Sequence, residues 1–346
     1  MTRLKLSMND LARVNEEISS SSMDQMHFVE VDHGQYAESK KNLIQIAATN
    51  AQVKDSLYGL AGRGFHLYKS DGTTSWFVAQ RKIVDLWHRV RQGELSVADS
   101  GLIYTMSSNI DLDQCKSMLV IFSSIADDIN KSSLSRYFEP NFKSVHKFVP
   151  DDTLVLRIAD IGGVVGGFYM PTTFDPLSAS KVSNLIEAMI SRHGIDRKRV
   201  VLYGASKGGT GSLYHALMSG LTCVSVDPVV HDSLYEQTYN DSHWTAGSLF
   251  TLKKEEEFNQ MVTSYSSRER ADYESIGVVC SPRSPLFDSI TEFTDKIPQD
   301  SARVFISNNP KIDSHPGVSR ETLRTVTGLI NSYLLGIRTE PGKVHF

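Results

Sequence analysis

The sequence predicts an α/β fold in which a mainly parallel sheet carries helices on both faces over residues 96–346, behind a small α+β accessory region at residues 1–95. Three observations carry this. From about Ser100 onward, short and nearly continuous apolar runs alternate with longer amphipathic segments, the pattern of strands buried on both faces and separated by covering helices. The segment SASKVSNLIEAMISRHG (178–194) repeats Val182, Leu185, Ile186, Met189 and Ile190 at helical spacing and stops at Gly194. The stretch VVLYGASKGGTGSLYHALMSG (200–220) passes from a strand-like run through packed glycines into a helix-like run.

Taken in order, residues 8–26 and 40–62 read as helices, and GFHLYKSDGTTSWFVAQ (64–80) reads as a hairpin turning through Asp71-Gly72. These make the accessory region, a candidate cap. Its aromatic residues Phe65, Tyr68, Trp76 and Phe77 are expected in a core rather than stacked on sugars. Strands are then expected over 101–107, 117–125, 153–159, 199–205, 222–228, 275–281 and 303–309. An amphipathic helix, RETLRTVTGLINSYLLG, follows the last of them.

Composition excludes more than it selects. With 346 residues, 40% hydrophobic, 22% charged and a net charge of -4, the chain has no compositional pull towards nucleic acid. The longest strongly apolar stretch, SMLVIFSSIA near Met118, is far short of the roughly 20 residues of a membrane span, and MTRLKLSMNDLARVNEE lacks the apolar core of a signal peptide. A soluble, cytoplasmic protein without a transmembrane segment is expected, associated at most peripherally with the inner face of the membrane. Cys115, Cys223 and Cys280 are widely spaced with no CxxC pair, so they are expected as buried hydrophobes, with no metal site.

The glycine-rich turn decides the chemistry. As a phosphate loop, KGGTGS (207–212) fails: Ser212 stands where the phosphate-binding lysine is needed, and Leu213 stands where a magnesium-binding hydroxyl is needed. As a nucleophile elbow, Gly204-Ala205-Ser206-Lys207-Gly208 fits G-x-S-x-G, because a serine on a sharp strand-to-helix turn leaves no room for side chains two residues to either side. The oxyanion hole would then use the Lys207 N–H, with a second N–H from the glycine loop DIGGVVGGFYM, where Gly162 and Gly163 lie nearest the strand end. The Lys207 side chain itself is expected to face solvent.

Of the histidines after Ser206, His215, His231, His243 and His345 read as structural or exposed. His315, in NNPKIDSHPGVS between the last strand and the C-terminal helix, occupies the place of a general base. Asp288 is the favoured acid, lying beyond the strand that precedes the histidine. Asp227, at the end of the strand after the elbow helix, is the alternative, and Glu292 and Asp295 remain open; Asp313 is too close to His315 in sequence.

Strand, elbow and histidine together resemble an α/β-hydrolase-fold serine enzyme. RIADIGGVVGGFYMPTT, VVLYGASKGGTGSLYHAL, VSVDPVV and NNPKIDSHPGVS are similar to the XcbB/CpsF-type capsular polysaccharide biosynthesis proteins, and less closely to the acyltransferase subunit of the bacterial accessory secretion system. The resemblance implies a bacterial enzyme that O-acetylates a capsular or surface glycan through an acyl-Ser206, with Ser206, His315 and Asp288 in the triad. It also implies acetyl-CoA as an acyl donor, no bound cofactor, and capsule biosynthesis proteins as partners. Two competing readings use the same fold. One is an esterase or thioesterase that releases acyl groups to water, and the other a non-catalytic scaffold of glycan biosynthesis.

Overall fold

The computed structural model describes residues 2–346, apart from the side chains of residues 37–39. Two sheets organise the chain. The first has strands β1 (Arg3–Ser7), β2 (Phe28–Asp32), β3 (Phe65–Asp71) and β4 (Thr74–Ala79) in the order β1-β2-β4-β3. β1 and β2 are parallel, and β3 and β4 form the hairpin read from Asp71-Gly72. Helices α1 (Leu11–Ser19), α2 (Leu43–Ala47) and α3 (Ala51–Gly62) pack here, and the short α4 (Ile83–Leu86) and α5 (His88–Arg91) lead out. Asn42 starts α2 with a reciprocal capping box to Gln45, and the Asn50 side chain caps α3 at Val53 N.

The second sheet contains β5 (Ser96–Val97), β6 (Ile103–Ser107), β7 (Ser117–Phe122), β8 (Thr153–Ile158), β9 (Val200–Ala205), β10 (Thr222–Val226), β11 (Ile276–Cys280), β12 (Ala302–Ile306) and β13 (Gly342–His345). Their order is β13-β12-β11-β10-β9-β7-β8-β6-β5, and β6 alone runs against the others. All seven apolar runs read from the sequence are strands, β6 to β12. Around them lie α6 (Ser178–His193), α7 (Lys207–Ser219), α8 (Ser233–Tyr239), α9 (Lys254–Ser267), α10 (Phe287–Thr294), α11 (His315–Glu321) and α12 (Leu323–Leu334). This is an α/β-hydrolase-like architecture.

Burial on both faces explains the unbroken apolar strands. Along β7, Leu119 and Ile121 join a cluster with Ile330 and Tyr333 of α12, whereas Met118, Val120 and Phe122 join the opposite cluster with Ile186 of α6 and Leu213 of α7. That second cluster runs without a break into the N-terminal sheet through Val29, Phe65 and Phe77. Phe65 and Phe77 are core residues as expected, Tyr68 meets Phe28 edge-on and Trp76 lies under the Lys69 ammonium. All three cysteines are free and buried, and burial pushes the Cys223 and Cys280 thiols up to about 12. Among the described residues, no helix is long and apolar enough to cross a membrane.

The sheet order locates the site. From β7 the chain moves outward to β8, then α6 carries it back across β7 to β9, so the loops after β7 and β9 leave in opposite directions. At such a switch point the carboxyl ends of adjacent strands open a crevice.

Two buried histidines make this packing sensitive to acid. His215 Nε2 donates to the Tyr169 carbonyl while Nδ1 accepts from Ser183 Oγ, and His66 bridges Tyr137 Oη and Gln80 Oε1. Burial pushes His66 down to about 3, assisted by the Arg136 charge, and His215 down to about 4, both from 6.5. Between these values and pH 6.5 the unfolded chain binds protons that the folded chain refuses, so stability is complete above about pH 6.5 and is lost as pH falls. At pH 5 the two together are expected to cost about 4 kcal/mol. Urea midpoints at pH 7 and pH 5 check this, and His215→Gln should remove about half of the difference.

Candidate active site

Ser206 sits at the junction of β9 and α7 with φ 55° and ψ -121°, a left-handed conformation that a non-glycine residue holds only when its surroundings enforce it. The flanking glycines follow from contact. A Cβ on Gly204 would lie 2.0 Å from the Gly208 carbonyl oxygen, and one on Gly208 would lie 2.3 Å from the Phe122 carbonyl oxygen at the end of β7. Side chains at these positions would push the turn open. No side chain among the described residues caps α7, so its first N–H groups, that of Lys207 foremost, have no partner there at the N-terminal end of a 13-residue helix.

The Ser206 hydroxyl donates to His315 Nε2 at 2.7 Å, and His315 Nδ1 donates to Asp227 Oδ2, also at 2.7 Å. The carboxylate therefore selects the tautomer that leaves Nε2 free to accept the serine proton. Asp227 is 2% exposed and His315 16%, so the acid is dry while the imidazole still reaches the cavity. Ser284, in the loop after β11, donates to the same Asp227 oxygen at 2.5 Å.

The structure brings Ser206 and His315 together but replaces the favoured acid. Asp288 lies exposed in the first turn of α10 and joins no hydrogen bond of the cluster. The β11 loop reaches the site earlier, with Ser284, and by Asp288 the chain has turned into helix with its side chain in solvent. Asp227, the alternative, occupies the position instead, immediately after β10 and held at φ 45°. Glu292 and Asp295 pair with Lys296 and Lys343, and Asp313 with Ser314.

The glycine loop also needs correction. Gly162 and Gly163 follow β8, which β7 separates from β9, and neither lines the cavity at Ser206. Their loop is instead wound around the Asp160 carboxylate, which accepts from the N–H groups of Gly167, Phe168 and Tyr169 at 2.9–3.1 Å. The segment beside Ser206 is the one after β7, whose Ser124, Ile125 and Ala126 line the cavity. There the Ser123 N–H is taken by Tyr169 Oη and the Ser124 N–H by Asn141 Oδ1, while that of Ile125 has no partner among the described residues.

Lys207 does not face solvent. Its ammonium is fully buried, 2.9 Å from Asp160 Oδ2, and it joins the start of α7 to the loop after β8. Nothing in the one-dimensional pattern distinguishes this lysine from an exposed one. Ser284 and Ile125 were equally invisible, since a loop serine and a backbone N–H carry no sequence signal.

The cavity measures about 1190 Å³ and opens over Ser206 and His315. Its wall includes Ile125, Ile129 and Phe142 on the β7 side and Tyr235, Tyr239 and His243 from α8 and the turn beyond it. Burial and the nearby His315 lower the His243 pKa, opposed by Asp241. Among the described residues every one that lines the cavity lies at or after Ser124, so the described part of the N-terminal region does not form the wall.

No family model and no curated protein matches the sequence. Among solved structures the chain is similar to the glycosylation-associated Gap123 complex of Streptococcus agalactiae, at 16% identity and a TM-score of 0.47 over 74% of this chain and 48% of that one. It thus spans about half the length of that chain. It is also similar to the capsule O-acetyltransferase of Neisseria meningitidis serogroup A, at 13% identity and a TM-score of 0.46 over 68% of this chain and 93% of that one. An S-formylglutathione hydrolase from Agrobacterium tumefaciens shares 11% identity, with a TM-score of 0.44 over 70% of this chain and 91% of that one. Likeness at this level assigns no activity.

Proposed function

We propose that the protein is a serine acyltransferase or hydrolase that works through an acyl-Ser206 intermediate. The observation that carries the reading is the unbroken path Ser206–His315–Asp227, two hydrogen bonds of 2.7 Å ending on a buried carboxylate, mounted on a strained elbow beside free N–H groups. His315 Nε2 takes the Ser206 proton as Oγ attacks the acyl carbonyl, and Asp227 stabilises the imidazolium. The N–H groups of Lys207 and Ile125 receive the oxyanion. His315 then protonates the leaving group, and the acyl-serine passes to water or to a hydroxyl that delivers its proton to Nε2.

The finer reading is O-acetylation of a bacterial capsular or surface polysaccharide, with acetyl-CoA as donor. It rests on the resemblance of the elbow and histidine blocks to the XcbB/CpsF-type proteins, and the cavity, at about 1190 Å³, has room for a sugar as well as an acetyl group. Treatment with a fluorophosphonate, read by intact mass, tests the serine. One adduct is expected on the native protein and none on Ser206→Ala, with at least a hundredfold slower labelling of His315→Ala. Failure of the folded native protein to label would discard the serine chemistry and favour a scaffold.

A further inference from the structure

Among the described residues the N-terminal region contributes none to the cavity wall, yet it grips that wall from behind. Tyr58 of α3 donates its hydroxyl to Asp241 Oδ2 at 2.5 Å, and Lys54, one turn earlier, donates to the Asn240 carbonyl. The Lys54 ammonium lies 5.4 Å from the Trp244 ring, and Tyr58 meets the same fully buried indole edge-on at 5.9 Å. Asn42 donates to the Asn130 carbonyl at 2.7 Å, next to cavity-lining Ile129, and Trp244 Nε1 reaches Asn130 Oδ1.

The segment so held is strained. Asn240, Asp241 and Trp244 have φ of 46°, 43° and 58°, left-handed values for three non-glycine residues within one turn. Asp241 also accepts from Thr245 N, Thr245 Oγ1 and Ala246 N, which closes the turn on itself. Immediately before it α8 presents Tyr235 and Tyr239, and within it lies His243. The three rings pack at centroid distances of 5.2–6.0 Å, and Tyr239 remains 41% exposed where it lines the cavity. An exposed aromatic face matches the C–H face of a saturated ring, and Asn141, Asp313 and Ser314 elsewhere on the wall offer polar partners to hydroxyl groups.

We propose that the Tyr235–Tyr239–His243 wall is the subsite for a ring-shaped acyl acceptor, a pyranoside, and that residues 1–95 set its position through Tyr58 and Lys54. The inference rests on the acyl-Ser206 reading and adds the acceptor side to it. In the step concerned a pyranoside hydroxyl attacks the acyl-serine carbonyl, its proton passes to His315 Nε2, and Ser206 Oγ leaves as the new sugar ester forms, recovering that proton from the imidazolium. Tyr58 touches neither reactant and acts only as a positioning residue.

The test uses the full chain with p-nitrophenyl acetate as donor and either methyl α-D-glucopyranoside or glycerol as acceptor at equal concentration. Glycerol offers the same hydroxyl chemistry without a ring face. The native protein should acetylate the glucoside at least fivefold faster than glycerol, and Tyr239→Ala should bring that ratio to about one. Tyr58→Phe, which removes one hydroxyl and keeps the ring, should raise the glucoside concentration for half-maximal transfer at least threefold while the p-nitrophenol burst stays within twofold of native. A ratio unchanged in Tyr239→Ala, or absent from the native protein, overturns the subsite. A Tyr58→Phe variant that loses burst and both transfers alike shows general loosening and overturns the positioning role. A native protein with no p-nitrophenol burst would instead fail the serine reading itself.

Discussion

Replacing Asp227 with asparagine is expected to reduce turnover of an activated ester by about 10⁴-fold at neutral pH, the scale seen when a triad acid loses its charge but keeps its shape. An asparagine presents either an amide N–H to His315 Nδ1, which forces the wrong tautomer, or a neutral oxygen that no longer stabilises the imidazolium. Because the native carboxylate is 2% exposed and receives both His315 and Ser284 on one oxygen, bulk solvent does little to screen the loss. Asp288→Asn is the control, and its rate should stay within twofold of native, since the side chain lies in solvent on α10. Burst kinetics with p-nitrophenyl acetate on the two variants decide between the acids. A large loss in Asp288→Asn with little in Asp227→Asn would reverse the assignment.

The second large effect concerns Lys207. Its ammonium and the Asp160 carboxylate form an ion pair with side chains 0% and 4% exposed, so Lys207→Met leaves a buried carboxylate without its counter-charge. Breaking such a pair from one side costs about 3–5 kcal/mol. Asp160 keeps its three backbone N–H donors, which places the expected loss near the lower end of that range. Adding Asp160→Asn should restore part of it, because the neutral amide carries no charge to solvate and its one oxygen can still accept from the Gly167 and Tyr169 N–H groups, although the NH2 in the place of Oδ2 leaves the Phe168 N–H unpaired. Urea unfolding of the single and double variants measures both quantities. A single variant as stable as native would show that the pair is not the link between the elbow helix and the loop after β8.

That pair also shows where one-dimensional reading stops. Strand and helix order followed from apolar periodicity, because a strand covered on both faces must be apolar throughout and a helix covered on one face must repeat its apolar residues every three or four positions. In the large sheet the edge strands β5 and β13, short and largely exposed, lacked that signal, and so did β1 and β2 of the N-terminal sheet, five residues each and only partly buried. The elbow was legible for an equally local reason, since the glycines at 204 and 208 answer to contacts within a single turn and the strand beside it. His315 was found because its place in chain order, between the last buried strand and the final helix, coincides with its place at the sheet's carboxyl edge.

The remaining partners depend on which strands lie side by side. Residue order puts the loop after β8 nearest the nucleophile strand, but the sheet inserts β7 between them, so Ile125 and not Gly162 or Gly163 comes to the cavity beside Ser206. Asp227 and Asp288 both follow strands on the correct side of the elbow. Only the path of each loop in space decides which carboxylate meets His315, and only folding shows that Lys207 points inward. The sequence by itself determined the layers, the strained serine turn at Ser206 and the loop that carries His315, because their signals lie in local periodicity, local crowding and chain order. The tertiary structure decided which carboxylate meets His315, which loop comes to the cavity beside Ser206 and which rings line it, because each depends on distances between segments that are remote along the chain.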